Sequence, residues 1–503
     1  MSKNIRNIYR PPGQIWRKIM DLSLELKKVY LSFKDQEILN IEHLSVYDGE
    51  KIGIIGANGQ GKSTLLDLIS GQLKADAGTI EQYIEFKYLK QIGEETVDEL
   101  DYEWLSRMQV PMQDYDDLSG GQQRKFMLSQ VFSQYPQGML LDEPTTHLDQ
   151  ESVDELIREI QYYHGTMLIV SHNRYFLNAT VQKIWEITEG KVVIYNGNYD
   201  DYEYEKEKAA LEIARYNEKL VKEKKLLERA IANKEAKISK QADNVAKNLK
   251  RSIKPDRYSA TKSKDSVQKA AYRQVKAMNT RLSKLGDFEK IEEERELNFP
   301  LPQSLILYNK FPIMADGLTI KGGEKILLDR INFQFPLGKV IALSGPNGSG
   351  KSSLLRRIIE GDKHLILSPK LKIVSYGQRD YELQSELPLL QYLTKQSDYD
   401  TGLIRSLLAQ LGFNHSQMRT SVNKLSGGQA TKVVLAETFI QPSNLLILDE
   451  PTNFIDLGTI KALERFIKAY QGTIILTSHD REFVEKVADV KYEISEGKLY
   501  QVN

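Results

Sequence analysis

Lys51-Ile-Gly-Ile-Ile-Gly56-Ala-Asn58-Gly59-Gln-Gly61-Lys62-Ser63-Thr64 sets a short apolar run, a glycine loop and a helix start in succession. Such a loop lets backbone N–H groups curl around phosphate oxygens, and the helix N-terminus behind it adds favourable dipole. The G-x-x-x-x-G-K-[ST] spacing sends Lys62 to the terminal phosphates and Ser63 to Mg2+. Further on, Leu118-Ser119-Gly120-Gly121-Gln122 reads as the opening of a helix. Met139-Leu-Leu-Asp142-Glu143 reads as a buried strand ending in two carboxylates, where an open α/β sheet carries its ligands. A second apolar strand, Met167–Val170, leads into Ser171-His172. A histidine one residue past a strand, in register with the other motifs, points to chemistry more than to packing.

The second half repeats the set. Gly345-Pro-Asn347-Gly348-Ser-Gly350-Lys351-Ser352-Ser353 is the loop, Leu425-Ser426-Gly427-Gly428-Gln429 the helix opening, Asp449-Glu450 the carboxylate pair and His479 the histidine. Gly56 and Gly345 are 289 residues apart, and Gln91 and Gln378 are 287 apart; the Ser119/Ser426, Glu143/Glu450 and His172/His479 pairs are each 307 apart. The register therefore slips by 20 residues after each glutamine, and the first half has a trimmed segment there. A constant spacing with one localised gap is the mark of a duplicated domain.

The elements that must position these residues fit within the length, since 503 residues suffice for about three domains. A hydrophobic share of 41% against 27% charged residues excludes a largely disordered chain. Without cysteine, disulfides and thiolate-bound zinc or iron–sulfur clusters are excluded. The longest apolar runs, such as Leu445–Leu448, fall far short of a membrane span. Residues 1–19, with Arg6, Arg10, Pro11, Pro12, Arg17 and Lys18, are read as a loose polar tail without the apolar core of a signal peptide. Strand alternation starts with Leu22, Leu24, Leu26 and Val29. A cytoplasmic protein with no membrane insertion is expected.

Between the halves the charge changes. From Lys219 to Lys284 there are 20 Lys/Arg against 6 Asp/Glu, although the whole chain is neutral. Apolar residues at Ile213, Tyr216, Leu220, Leu227 and Ala230, fading after Ile238, form one helical seam, which Glu223 interrupts. Ala271, Val275, Met278, Leu282 and Leu285 form another. Pro255 lies between them, so the pattern predicts two antiparallel helices around a tip at about 240–265. Lys247, Lys250, Arg251, Lys254, Arg257 and Tyr258 make that tip a candidate RNA contact: cations for phosphate, and a ring to stack on an exposed base.

Together these motifs resemble the ATP-binding-cassette (ABC) ATPases. Tandem cassettes around a charged linker, with no membrane segment, are similar to the ABC-F subfamily. The run Arg251-Ser-Ile-Lys-Pro255-Asp256-Arg257-Tyr258-Ser259-Ala260, and a chain ending soon after the second cassette, look like the antibiotic-resistance ABC-F proteins of the Msr type. The resemblance implies an α/β fold: two P-loop ABC-type ATPase domains, 20–199 and 300–503, joined by a long antiparallel helical hairpin over 200–299. It implies ATP and Mg2+ as cofactors and a monomer whose cassettes close head to tail.

Site one would then pair Lys62, Ser63, Asp142 and Glu143 with Ser426, Gly427, Gly428 and Gln429. Site two would pair Lys351, Ser352, Asp449 and Glu450 with Ser119, Gly120, Gly121 and Gln122. Ser63, Asp142, Ser352 and Asp449 would hold Mg2+. Glu143 and Glu450 would polarise the attacking water, His172 and His479 would contact the γ-phosphate, and Gln91 and Gln378 would sense metal and water. Phe33 stands where an aromatic stacks on adenine, whereas the matching place in the second half, near Ile320 and Lys321, has none. Phe454 replaces the counterpart of His147, which suggests unequal turnover at the two sites.

The implied partner is the bacterial ribosome, at rRNA and tRNA near the peptidyl-transferase centre, where the arm would relieve drug inhibition. A housekeeping translation factor acting on stalled ribosomes uses the same mechanics. A transporter's energising subunit would not require a phosphate-seeking arm, and a DNA-repair ATPase would be expected to carry a zinc module or a coil inside a cassette.

Overall fold

Apolar residues alternate along Leu22–Phe33 (β1) and Gln36–Tyr47 (β2), with one shift of phase in each strand, and bury one face of an antiparallel hairpin, with Leu24, Leu26, Val29, Leu39, Ile41 and Val46 in the core. The computed structural model describes residues 21–33, 36–90, 101–250, 260–285, 297–377 and 383–502, with backbone only at 241–250 and 260–268. The tail 1–19 lies outside the described residues. Lys51–Ile55 (β3) leads through the glycine loop to Lys62–Ile69 (α1), then Ala77–Gln82 (β4) and Phe86–Leu89 (β5). Tyr102–Arg107 (α2), Gly120–Ser133 (α3), Gly138–Asp142 (β6), Gln150–Tyr162 (α4) and Thr166–Val170 (β7) follow. Arg174–Thr180 (α5), Lys183–Thr188 (β8) and Lys191–Asn196 (β9) complete the first cassette.

Its main sheet has the order β5-β6-β7-β3-β8-β9, parallel except for the antiparallel edge strand β9; β2-β1-β4 form a separate antiparallel sheet. Every residue of β6 and β7 is buried. Strands covered on both faces read as continuous apolar runs, which is why Met139–Leu141 and Met167–Val170 stand out in the sequence. Glu143 and His172 therefore emerge at the carboxyl ends of neighbouring strands.

Tyr199–Lys250 (α6) and Ala260–Lys284 (α7) are the helices of the arm. Residues 241–250 and 260–265, within the stretch expected to be the tip, are helical, in keeping with the lysines and alanines there, which favour helix. Pro255 lies outside the described residues. Glu203–Glu294 is a compact unit of its own, and the two cassettes together form the other. Within the arm Ile231, Ile238 and Val275 pack with Ala271, Met278 and Leu282. Glu223, which interrupts the seam, pairs across the hairpin with Arg281 at 2.8 Å, and Lys234 donates to Gln274 at 2.8 Å, so the helices run antiparallel. Tyr216 does not join the seam: it is exposed, and the buried place near Ala230 is taken by Ile231.

The second cassette repeats the plan with Ile313–Gly322 (β10), Lys325–Phe335 (β11), Val340–Ser344 (β12), Lys351–Glu360 (α8), Leu365–Leu367 (β13) and Ile373–Tyr376 (β14). Leu389–Lys395 (α9), Thr401–Gln410 (α10), Gly427–Ile440 (α11), Leu445–Asp449 (β15) and Leu457–Ala469 (α12) come next. Thr473–Thr477 (β16), Arg481–Val487 (α13), Val490–Ser495 (β17) and Lys498–Val502 (β18) end it. The sheet order β14-β15-β16-β12-β17-β18 matches the first. The 20-residue slip has a physical meaning: α2 corresponds to the end of α10, and α9 has no counterpart among the described residues.

Candidate active site

Each glycine loop joins a central strand to a helix. Gly61 and Gly350, the N-caps of α1 and α8, have φ of 94° and 106°, in the left-handed region. A side chain at Gly61 would also meet Ile38 Cγ2 at 2.9 Å, so both backbone and space require glycine there. Lys62 and Lys351 are buried over their own loops. Lys62 Nζ donates to the carbonyls of Gly56 (2.9 Å) and Ala57 (3.1 Å), and Lys351 Nζ to those of Gly345 (2.7 Å) and Pro346 (3.0 Å). Burial lowers the pKa of both ammonium groups. Exchanging carbonyl oxygens for phosphate oxygens would restore the favour for charge. Ser63 and Ser352 lie at the surface of the first helical turn, and Thr64 and Ser353 are half-buried behind them.

The carboxylate pairs stand where the strands end. Asp142 is buried, its Oδ1 has no hydrogen-bond partner, and the Ser63 hydroxyl is near enough to favour its charged form against the burial that raises its pKa. A hydroxyl beside an unsatisfied carboxylate oxygen fits Mg2+, which takes few protein oxygens and shares the rest with phosphates and water. No cluster of three His, Asp or Glu able to cage a cation occurs among the described residues. At the second site Asp449 Oδ1 accepts the Thr477 hydroxyl at 2.6 Å.

Glu143 and Glu450 both adopt positive φ, 49° and 50°, a strained conformation for a non-glycine residue. Each faces its histidine. The His172 backbone N–H donates to Glu143 Oε2 at 3.3 Å, and its Nε2 lies 3.4 Å from Oε1; the His479 distances to Glu450 are 3.2 and 3.3 Å. Burial raises Glu450 to about 7 and lowers His479 to about 4. Burial acts likewise on the first pair, with Asp142 adding to the rise at Glu143 and Lys62 to the fall at His172. Burial thus biases each dyad toward its neutral form and away from an ion pair, and the hydrogen bond that joins it comes from the histidine backbone N–H.

The cassettes complete one another. The Asn58 N–H donates to Asp456 Oδ2 at 3.0 Å, and Asn58 Nδ2 donates to the Phe454 carbonyl at 3.1 Å. Asn347 makes the reciprocal contacts, to Asp149 Oδ2 at 3.5 Å and the His147 carbonyl at 3.0 Å. A cavity of about 640 Å³ gathers Phe33, Gly59, Lys62, Ser63, Thr64, Asp142, Glu143 and His172 from the first cassette with Ser426, Gly427 and Gly428 from the second. A Cβ at Gly121 would lie 3.2 Å from Asn347 Nδ2, and one at Gly428 would lie 3.6 Å from Asn58 Nδ2. Each Ser-Gly-Gly turn thus sits against the other cassette's glycine loop. Gln122 and Gln429 close capping boxes on Ser119 and Ser426, so their amides fix the first turns that begin at Gly120 and Gly427.

Strand register corrects one assignment. Phe33 pairs with Gln36 and Gly322 with Lys325 at the equivalent hairpin ends, so Gly322, not Ile320 or Lys321, takes the place of Phe33. Ile320 is buried. Phe454 packs its ring against His147 across the cassettes, 5.6 Å between centroids.

Gln91, Gln378, Arg251, Lys254, Arg257 and Tyr258 lie outside the described residues, and of Lys247 and Lys250 only the helical backbone is described. Three contributors were not singled out from sequence. Asp149 and Asp456 reach across, and their signal was the repeated Pro-Thr-x-x-x-Asp after each carboxylate pair. Arg124 on α3 was silent; its guanidinium donates to the carbonyls of Lys90 (2.6 Å), Glu143 (3.0 Å) and Asp142.

The ABC transporter family profile matches residues 39–146 and 328–453. The chain is 39% identical over 484 residues to the erythromycin resistance ATP-binding protein MsrA of Staphylococcus epidermidis, covering 95% of this chain and 99% of that protein. The chain belongs to the ABC-F subfamily, Msr type. This ABC-F chain is also 32% identical to the ribosome protection protein VmlR of Bacillus subtilis (strain 168), over 94% of its own length and 87% of the relative's. Its fold is that of the archaeal ribosome recycling factor aABCE1, crystallised with the ribosomal stalk protein aP1: TM-score 0.61, 16% identity, 94% of this chain and 89% of that one. It is an ATP hydrolase. No described helix is long and apolar enough to cross a membrane.

The dyads predict a pH signature in the nucleotide-free protein. A carboxyl whose folded pKa is raised adds stability that is present below its unfolded pKa, near 4.5, and lost as pH climbs toward the folded value. The histidines, with folded pKa lowered, act the other way, but only below about 6.5. Glu143→Gln with Glu450→Gln should therefore melt higher than wild type at pH 8, with the gap widening by a few degrees from pH 6.5 to 8, for about 1–3 kcal/mol in all. A melting difference independent of pH would contradict the neutral-dyad assignment.

Proposed function

We propose that this protein binds the bacterial ribosome and protects it from antibiotics of the peptidyl-transferase and exit-tunnel region, its arm entering beside tRNA and ATP hydrolysis driving release. The observation that carries the proposal is the arm. It folds as its own hairpin and concentrates 20 basic against 6 acidic residues between Lys219 and Lys284 in a chain otherwise acidic. Phosphate contacts of that density supply affinity without sequence reading and weaken steeply with salt. The end-to-end likeness to proteins named for erythromycin resistance and ribosome protection supports the same reading.

In the proposed cycle Lys62 and Lys351 take the β/γ-phosphates of two ATP molecules, with Ser426 and Ser119 closing on them from the opposite cassette. Phe33 stacks on one adenine. Ser63 with Asp142, and Ser352 with Asp449, would hold Mg2+, which would neutralise charge on the phosphate oxygens and so ease attack at the γ-phosphorus. Glu143 and Glu450 orient the attacking water once the phosphates and Lys62 or Lys351 are in place. The neutral His172 and His479 each have one ring N–H to give to the γ-phosphate. Closure is then a two-state element held by the γ-phosphate and released by hydrolysis.

Two measurements test this. Glu143→Gln with Glu450→Gln should lower ATP turnover by about 100-fold or more while raising cosedimentation with 70S ribosomes in ATP; unchanged cosedimentation would detach closure from ribosome binding. Replacing residues 245–258 with a short Gly/Ser loop should spare basal ATPase and remove erythromycin tolerance in a sensitive host. Undiminished tolerance would sever the arm from protection. If the intact gene protects against no macrolide, lincosamide, streptogramin or pleuromutilin, the housekeeping factor becomes the better reading.

A further inference from the structure

Among the described residues the least exposed charged side chain is Arg174, the first residue of α5. Its guanidinium crosses to the second cassette. Nη2 lies 2.5 Å from Glu464 Oε1 on α12, and Nη1 lies 3.5 Å from Glu482 Oε1 on α13. Asp480, next to His479, is close enough to add its own attraction. Burial works against the charge on Arg174, and these carboxylates outweigh it. Desolvating so many charges is costly, and an apolar contact of the same size would hold the cassettes as well.

The cluster has no twin. Arg481 stands 307 residues after Arg174, yet it is exposed and pairs with Glu485 of its own helix at 3.1 Å. At the same offset from Glu464 and Glu482 stand Ile157 and Tyr175, neither of them anionic. Symmetric cassette pairing therefore does not explain the cluster.

What it joins is informative. His172 precedes Arg174 by two residues, and between them Asn173 Oδ1 caps α5 by accepting the Phe176 N–H at 2.9 Å. On the other side Asp480 Oδ1 caps α13 by accepting the Phe483 N–H at 2.9 Å, and the Asp480 N–H donates to Ser478 Oγ at 3.0 Å. Both histidine loops are thus pinned to short helices, and those helices share one ion cluster centred on the buried Arg174. A shift of either loop displaces a guanidinium that has no solvent to fall back on.

We propose that Arg174 is a positioning residue that couples the two ATP sites, passing the state of one histidine loop to the other through Glu464, Glu482 and Asp480. It lines neither glycine loop and acts through the loops that hold His172 and His479.

The test uses the full chain and steady-state ATPase without ribosomes. Locking one site with Glu450→Gln, or the other with Glu143→Gln, should slow total turnover about tenfold or more, beyond the halving that independent sites would give. With Arg174→Met added, each lock should leave about half of the Arg174→Met rate. Arg174→Lys, which keeps the charge, should restore most of the coupling, and Arg481→Ala should leave it intact. If Arg174→Met does not fold, Glu464→Gln replaces it, with a smaller loss of coupling in the same direction. A lowered melting temperature with unchanged lock ratios would reduce Arg174 to a structural residue and overturn the proposal, as would locks that merely halve the wild-type rate.

Discussion

The two cassettes are held in register by Asp456, one carboxylate that serves both. Its Oδ1 caps α12, accepting the Thr459 N–H at 2.8 Å and the Thr459 hydroxyl at 2.7 Å, while Oδ2 accepts the N–H of Asn58 in the other cassette's phosphate loop. Lys432 sits 2.8 Å away. Burial alone would raise this carboxyl; Lys432 and the donors outweigh it and hold it well below the usual carboxylate range. A charge satisfied on every side is rigid, and it fixes the distance between a phosphate loop and the Ser-Gly-Gly turn that faces it. Without such a link each cassette would present half a site.

The second link is built less tightly. Asp149 reaches Asn347 at 3.5 Å. Lys125 and its counterpart Lys432 both donate to a backbone carbonyl, of Met108 at 2.9 Å and Leu411 at 3.2 Å, but the 2.8 Å ion pair, with Asp456, is on the Lys432 side. Thr431 stands where the first cassette has Arg124, Phe454 where it has His147, and Gly322 where it has Phe33. Each change removes or replaces a polar or stacking group in or beside a nucleotide-facing motif, and the His147/Phe454 pair meets across the seam between cassettes. Duplication supplied two copies of one engine, and these substitutions have made them unlike. The ion cluster at Arg174 belongs to the same divergence, since it occurs on one side alone.

Much of this was legible in the sequence because the chemistry is local. A glycine loop that must approach phosphate, a helix opened by Ser-Gly-Gly-Gln, and a carboxylate pair at the end of an apolar run each occupy a few adjacent residues. Contacts made at a distance were not legible. Arg124 serves carbonyls of Lys90, Asp142 and Glu143, and nothing in Gln-Gln-Arg-Lys marks it as different from a solvated helix residue. The place matching Phe33 is Gly322, one residue past Lys321, because only strand pairing fixes the hairpin end; it carries no aromatic, as the sequence implies. In the arm, Tyr216 fits the apolar period yet is exposed, since a two-helix seam buries a narrower stripe than the pattern covers.

If each phosphate loop works only against the opposite cassette's turn, paired lesions must combine by site and not by cassette. The measurement is nucleotide retained per chain in Lys62→Ala/Ser426→Arg and in Lys62→Ala/Ser119→Arg. The first pair damages one composite site twice and should retain about one nucleotide; the second damages both sites and should retain almost none. The reverse order, with the pair confined to the first cassette retaining more nucleotide, would show that each cassette holds its nucleotide alone.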